Sequence, residues 1–181
     1  MTQREILIYP QHSQALRRES EGITIFKRDL LDLILDLKDT LAAHSEGIGL
    51  AAPQINIHKR VVIVRLGQSG IYGEDRRPPL ALVNPVIRAW GNPQRDCDGC
   101  LSFPGLYGET TRPHKLRVSF QDEAGKSIVR QFSGFNAALV HHEIDHLNGV
   151  LFIDHIEELR NLFRIGEDKL GQPVRVPVAA R

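Results

Sequence analysis

The segment His142-Glu143-Ile144-Asp145-His146 sets two imidazoles four residues apart, with a carboxylate beside the first. On a helix one turn takes about 3.6 residues, so side chains four apart stand on the same face. Both rings then reach one ion, and Glu143 projects beside it, where a carboxylate can move protons to and from water. The bland alternative is a set of charged groups on a solvated helix face. The apolar run Ala137-Ala-Leu-Val140 just before His142 argues instead for a position near the core.

Two imidazoles leave a third protein ligand to find. Acidic residues and cysteines are the candidates, and Asp96-Cys-Asp-Gly-Cys100-Leu-Ser102 offers the best segment. A thiolate is a soft, anionic ligand that suits zinc and divalent iron. With Cys100 as the single sulfur, a fourth position stays open for water and the site is hydrolytic. With Cys97 added, the site closes as a Cys2His2 centre whose role is folding. A chain of 181 residues can bury a core without a metal staple, which favours the open form. Water in an open position on zinc has a pKa of about 7, and Glu143 can take its proton and pass it to a leaving amine.

These side chains need a scaffold, and the sequence supplies its parts. Residues 27–43 carry leucines at helical spacing, Leu30, Leu33, Leu37 and Leu41, with charges between them. That pattern predicts an amphipathic helix with a solvated charged side. Residues 60–66 and 80–83 read as strands, the second stopped by Asn84-Pro85, with a glycine- and proline-rich surface loop over 67–79. Residues 116–121 and 127–132 flank a five-residue loop containing Gly125, which predicts a β-hairpin. Asn136 is placed to cap a helix through His146, and Gly149 sits where a left-handed C-terminal cap is favoured. A further short helix is expected over 156–163. The whole reads as an α+β fold, with mixed or antiparallel strands packed around a central helix that bears the H-E-x-x-H motif. Residues 1–165 form one catalytic domain in this reading, and 166–181 a loosely attached tail.

Composition narrows the function classes. Lys and Arg total 23 against 22 for Asp and Glu, without the basic excess of a general nucleic-acid binder. Two cysteines are too few for a secreted disulfide framework, and the N-terminus lacks the apolar run of a signal peptide. No stretch approaches the roughly 20 apolar residues of a membrane span. The expected location is the cytoplasm.

Three separated segments resemble the signature motifs of the peptide deformylases. They are Gly47-Ile-Gly-Leu-Ala-Ala-Pro-Gln54, Gly99-Cys-Leu-Ser102, and His142-Glu-Ile-Asp-His146-Leu. The resemblance spans roughly residues 5 to 160 and implies removal of the formyl group from N-formylmethionyl nascent peptides, giving formate and a free amine. It implies Cys100, His142 and His146 as ligands of one divalent ion, Fe2+ in the cell, with Zn2+, Ni2+ or Co2+ accepted. It implies Glu143 as the catalytic carboxylate, and Gln54 with the backbone N–H of Leu101 as donors to the developing oxyanion. Gly49 resembles the family's backbone contact to substrate, and Cys97 is left with no metal role. Losing one such oxyanion donor typically costs roughly 10²–10³ in rate.

Apolar walls for the methionine side chain are expected from Ile48, Leu101 and Leu139. The chain departs from the family pattern at three places. Asp98 stands where glutamate is usual, with Arg112 its expected partner. His141 replaces a glutamine before the first ligand, and points about 100° off the metal-facing side. Tyr107 falls where some members place a peptide-contacting arginine. Two other readings stay open, an H-E-x-x-H metallopeptidase and a Cys2His2-stabilised binding module without turnover. Among partners, ribosome association also stays open, since Lys169, Arg175 and Arg181 are sparse.

Overall fold

Val61–Val64 form a strand in which every side chain is buried. Side chains alternate between the two faces of a strand, so a wholly apolar one must be covered on both. Val61 and Ile63 enter one core cluster, Val62 and Val64 another. In this computed structural model, which describes residues 2–67 and 78–178, a helix supplies each cover. The loop expected over 67–79 lies largely outside the described residues.

In chain order the elements are α1 (Ser13–Leu16), α2 (Arg28–Ala42), β1 (Gly49–Ala51), β2 (Val61–Val64), β3 (Leu80–Gly99), β4 (Tyr107–Gln121), β5 (Ser127–Ser133), α3 (Phe135–Leu147), β6 (Leu162–Glu167) and β7 (Pro173–Pro177). The strands form one sheet in the order β1-β2-β3-β4-β6-β7, with β5 also on β4. Every pairing between these strands is antiparallel. The architecture is α+β, as the element pattern predicts.

On one face α2 lays Leu30, Leu33, Ile34, Leu37 and Leu41 against Leu50, Val61, Ile63 and Val83. On the other face α3 lays Ala137, Val140, Ile144 and Leu147 against Val62, Leu82, Leu116 and Val118. Each such aliphatic side chain contributes about 1.5–3 kcal/mol on leaving water. A third cluster, Leu16, Phe103, Leu151 and Phe152, closes the end of the sheet nearest Cys100.

Three expectations need correction. Asn84-Pro85 does not end a strand, because β3 runs on to Gly99 with register shifts between Val83 and Val86 and between Ile87 and Ala89. Asn84 takes φ +50° there, and its side-chain amide pairs with both Ile23 N–H and Ile23 C=O. The turn-forming pair therefore marks a bulge, where Asn84 N–H donates to the Arg60 carbonyl and the Arg60 guanidinium donates to the Pro85 carbonyl. Residues 107–115, not assigned from sequence, form the first half of β4.

Asn136 does not cap α3. The helix starts at Phe135 after Gly134, whose φ of +57° suits glycine. The Asn136 side chain instead holds Gly67, accepting its N–H and donating to its C=O. The helix expected over 156–163 is only a 3-10 turn at Leu159–Asn161, after which the chain pairs as β6. By contrast, Gly149 takes φ +70° past α3, and a Cβ there would lie 2.2 Å from the Arg17 carbonyl oxygen. The hairpin β4–β5 has Gln121 opposite Ser127, with the 122–126 loop between them. Asp122 accepts the N–H groups of Ala124 and Lys126 and so shapes that turn.

Candidate active site

Helix α3 is buried almost all round, including His142, Glu143, Asp145 and His146. Polar groups at such depth need partners, and the strands beside the helix provide them. Asp98, at the end of β3, accepts from His142 Nδ1 at 2.8 Å, which leaves Nε2 of that ring for another task. Arg112 of β4 donates through Nε to Asp98 at 2.9 Å and through Nη1 to Asp145. Thr110 adds a hydroxyl to Asp98, and His155 reaches Asp145 at 2.9 Å. His141 joins the same network from its outer side, its Nδ1 2.8 Å from Arg112 Nη1 and 3.4 Å from Asp145.

The pairing of Asp98 with Arg112 follows the sequence reading, but Asp98 also holds His142. Asp145 carries no signal in the sequence, since its partner Arg112 lies 33 residues away along the chain, and His155 is not singled out there either.

Burial alone would neutralise these groups, and their neighbours decide otherwise. Burial would raise Asp98, yet His142 and Arg112 hold it well below the usual carboxylate range. Burial would lower His142, but Asp98 outweighs it and holds the ring well above its ordinary value. His146 is pushed down to about 3 by burial and by the nearby His142, so its imidazole is neutral and free to act as a ligand. Burial pushes Glu143 up to about 7, His142 working the other way. A carboxyl tuned to that value can both accept and return a proton near neutrality.

Cys100 follows the last residue of β3 and lies against these histidines. Its Sγ is 3.3 Å from His146 Nε2, and the His142 and His146 rings meet edge to face with centroids 5.0 Å apart. Ligand atoms of Cys100, His142 and His146 all lie within 4.8 Å of one another. One sulfur and two imidazole nitrogens at this spacing fit a single divalent ion. The carboxylate on His142 Nδ1 is the support that such a ligand usually has. His146 Nδ1 and Glu143 Oε2 are buried with no hydrogen-bond partner among the described residues. Cys97 does not join the group. It is exposed and pairs opposite Glu109 in the β3–β4 ladder.

Gln54 sits in the 3-10 turn Ala52–Ile55, after β1. Its Oε1 accepts Ala51 N–H at 2.9 Å, and its Nε2 donates to Cys100 Sγ at 3.4 Å and Ser102 Oγ at 3.1 Å. The amide is thereby oriented with its donor beside the sulfur. Ser102 is the partner that sequence reasoning missed. Gly49 packs directly on the carboxylate, for a Cβ there would lie 2.3 Å from Glu143 Oε1. A cleft of about 1000 Å³ opens over this cluster, and Ile48, Gly49, Leu101 and Leu139 all line it. Phe135 and Ala138, not singled out from sequence, line it too.

Comparison with known proteins agrees with this arrangement. The family model described as polypeptide deformylase matches residues 3–162. Peptide deformylase 1 of Bacillus subtilis is 37% identical over 158 residues, covering 87% of this chain and 92% of that protein. The Heliobacterium modesticaldum peptide deformylase is 42% identical over 142 residues, covering 78% and 87%. A crystal structure of a peptide deformylase from Legionella pneumophila superposes with a TM-score of 0.77 at 34% identity, over 87% of this chain and 88% of that one. One from Synechococcus elongatus, in complex with actinonin, gives 0.76 at 33% identity over 86% and 79%. On the length and depth of these matches, the chain belongs to the polypeptide deformylase family.

Proposed function

We propose that this protein removes the formyl group from N-formylmethionyl peptides by metal-dependent hydrolysis. The observation that carries the reading is the convergence of Cys100, His142 and His146 beneath one cleft with Glu143 and Gln54 beside them. A bound divalent ion supplies a Lewis acid for polarising the formyl carbonyl and for activating water.

The chain's own residues do the rest. Glu143 takes a proton from the attacking water as the new C–O bond forms. It returns that proton to the amine nitrogen as the C–N bond breaks, so formate and a free N-terminus leave. Gln54 Nε2 and the Leu101 N–H donate to the carbonyl oxygen as it gains charge. Gly49 keeps the floor of the cleft open to the substrate backbone, and Ile48, Leu101 and Leu139 wall the methionine side chain. Asp98 holds His142 in the orientation a ligand needs.

The donor set of one thiolate and two imidazoles suits Fe2+, our choice for the cell, and equally Zn2+, Ni2+ or Co2+. In this reading residues 1–165 are one catalytic domain built around α3, and 166–181 are a C-terminal tail that attaches to it through the pairing of β7 with β6. No helix among the described residues is long and apolar enough to cross a membrane. A cytoplasmic location, and contact with the ribosome from which formylated chains emerge, belong to the proposal because of the substrate.

The test is formate release from formyl-Met-Ala by the Fe2+- or Ni2+-loaded protein. Glu143→Ala should cut the rate by roughly 10²–10⁴ with metal content unchanged. Cleavage of unformylated peptides instead would favour a metallopeptidase. Metal kept by Cys100→Ser but lost by Cys97→Ser would overturn the ligand assignment.

A further inference from the structure

The wall of the cleft beyond Cys100 is held from within by Phe103, which packs on Tyr9 and Phe152, and from outside by β6. It runs from Gly99 through Phe103, Gly105 and Leu106 to Tyr107, and Gly105 takes φ +68°. Three consecutive residues of β6 hold it from behind. Leu162 packs with Cys100 and Leu106 against the cluster of Phe103 and Phe152. Arg164 reaches Gly105, where a Cβ would lie 3.6 Å from its Nη1.

Between them Phe163, opposite Tyr107 in the ladder, stacks on the Tyr107 ring with centroids 6.1 Å apart and planes 24° from parallel. Arg175 of β7 lies over Phe163, 4.6 Å from its centroid, and donates to Glu109 at 2.5 Å. Glu109 also pairs with Arg95 of β3 at 3.2 Å. Tyr107 in turn rides on the backbone beside the sulfur, since a Cβ at Gly99 would lie 2.9 Å from its Cδ1.

We propose that the β6–β7 hairpin is a brace for the substrate cleft. Phe163, held by Arg175, positions Tyr107 against Gly99 so that the outer wall receives the peptide beyond its formylated residue. This rests on the hydrolysis proposed above and adds Phe163 and Arg175 as positioning residues for it. The bonds that orient Gln54 and His142 come from Ala51, Ser102 and Asp98, none of them in the hairpin. Loosening the brace therefore leaves the bonds that orient Gln54 and His142 in place while it shifts the wall. Aromatic stacking and a cation over a ring are each weak, but here they act in series on one side chain.

The experiment compares formyl-Met-Ala-Ser with formyl-Met amide on the metal-loaded protein. Phe163→Ala should raise KM for the longer peptide about fivefold, with its kcat, and both constants for the amide, within about twofold. Phe163→Tyr should restore KM. Tyr107→Ala should give a similar rise, and the double variant little more, as expected for two residues acting through one contact. Should Phe163→Ala not fold, Arg175→Ala carries the same test with a smaller rise in the same direction. Equal losses on both substrates, an unmoved KM, or additive effects would overturn the brace alone. A wild-type protein that releases no formate from either substrate would overturn the hydrolytic reading and the brace with it.

Discussion

Helices α2 and α3 cover opposite faces of the same sheet, yet they treat charge in opposite ways. α2 buries Leu30, Leu33, Ile34, Leu37 and Leu41 and keeps its ionic residues at exposed or half-buried positions. Its Arg28–Asp32 pair, 2.8 Å apart, is largely in solvent. Pairs of that kind contribute little. α3 buries His142, Glu143, Asp145 and His146 along with its apolar residues. Two of them are held from outside the helix, His142 by Asp98 and Asp145 by Arg112 and His155. One helix is there for stability. The other carries polar chemistry into the interior at a cost that only a functional site justifies.

Three measurements press on that contrast. The largest effect is expected at Arg112, which is 2% exposed and sits between two carboxylates. Arg112→Met should lower stability by about 3–5 kcal/mol at pH 7, read from denaturant unfolding, because Asp98 and Asp145 lose their common cation. A loss below about 1 kcal/mol would mean that α3's charges are solvated like those of α2. On the other face, Ile34→Ala should cost about 2–5 kcal/mol through a cavity alone. Formate release per folded, metal-loaded molecule should then stay within about twofold. A larger fall in rate would show that the α2 face is coupled to the site.

The third effect is a pH slope in the metal-free protein. Burial raises Glu143 to about 7 in the folded state, above the ordinary carboxyl value. The folded form therefore binds the proton more tightly than the unfolded chain. Stability contributed by the neutral form is present at acid pH and lost as pH rises through about 7, by roughly 3 kcal/mol in all. Glu143→Gln should flatten that slope between pH 5 and 8. An unchanged slope would assign the pH dependence to other groups.

How far the site could be read in advance depended on the range of the interaction. α2 was legible because its apolar period is local and its outer side stays in water. The H-E-x-x-H segment was legible for the same local reason. α3 as an element was less so. Buried all round, it has no polar face, and its start was misread at Asn136 because a side chain that can cap a helix can also bind Gly67 across the fold. Of β3 only residues 80–83 were legible, because Asn84-Pro85 resembles an end when it is a bulge, and of β4 only residues 116–121. The start of β6, Leu162 and Phe163, reads as helix because what holds Phe163 is Tyr107, far away in the chain.

By itself the sequence determined that His142 and His146 stand together with Glu143 beside them, because helical spacing is a property of neighbours. Which sulfur joins them was decided by the tertiary structure. Cys97 lies on β3 with its side chain exposed. It thus stays outside, paired opposite Glu109, while Cys100, past the strand's last residue, meets His146. Only folding could also bring Asp98, Arg112 and Asp145 into contact, because no local pattern links residues on two strands and a helix.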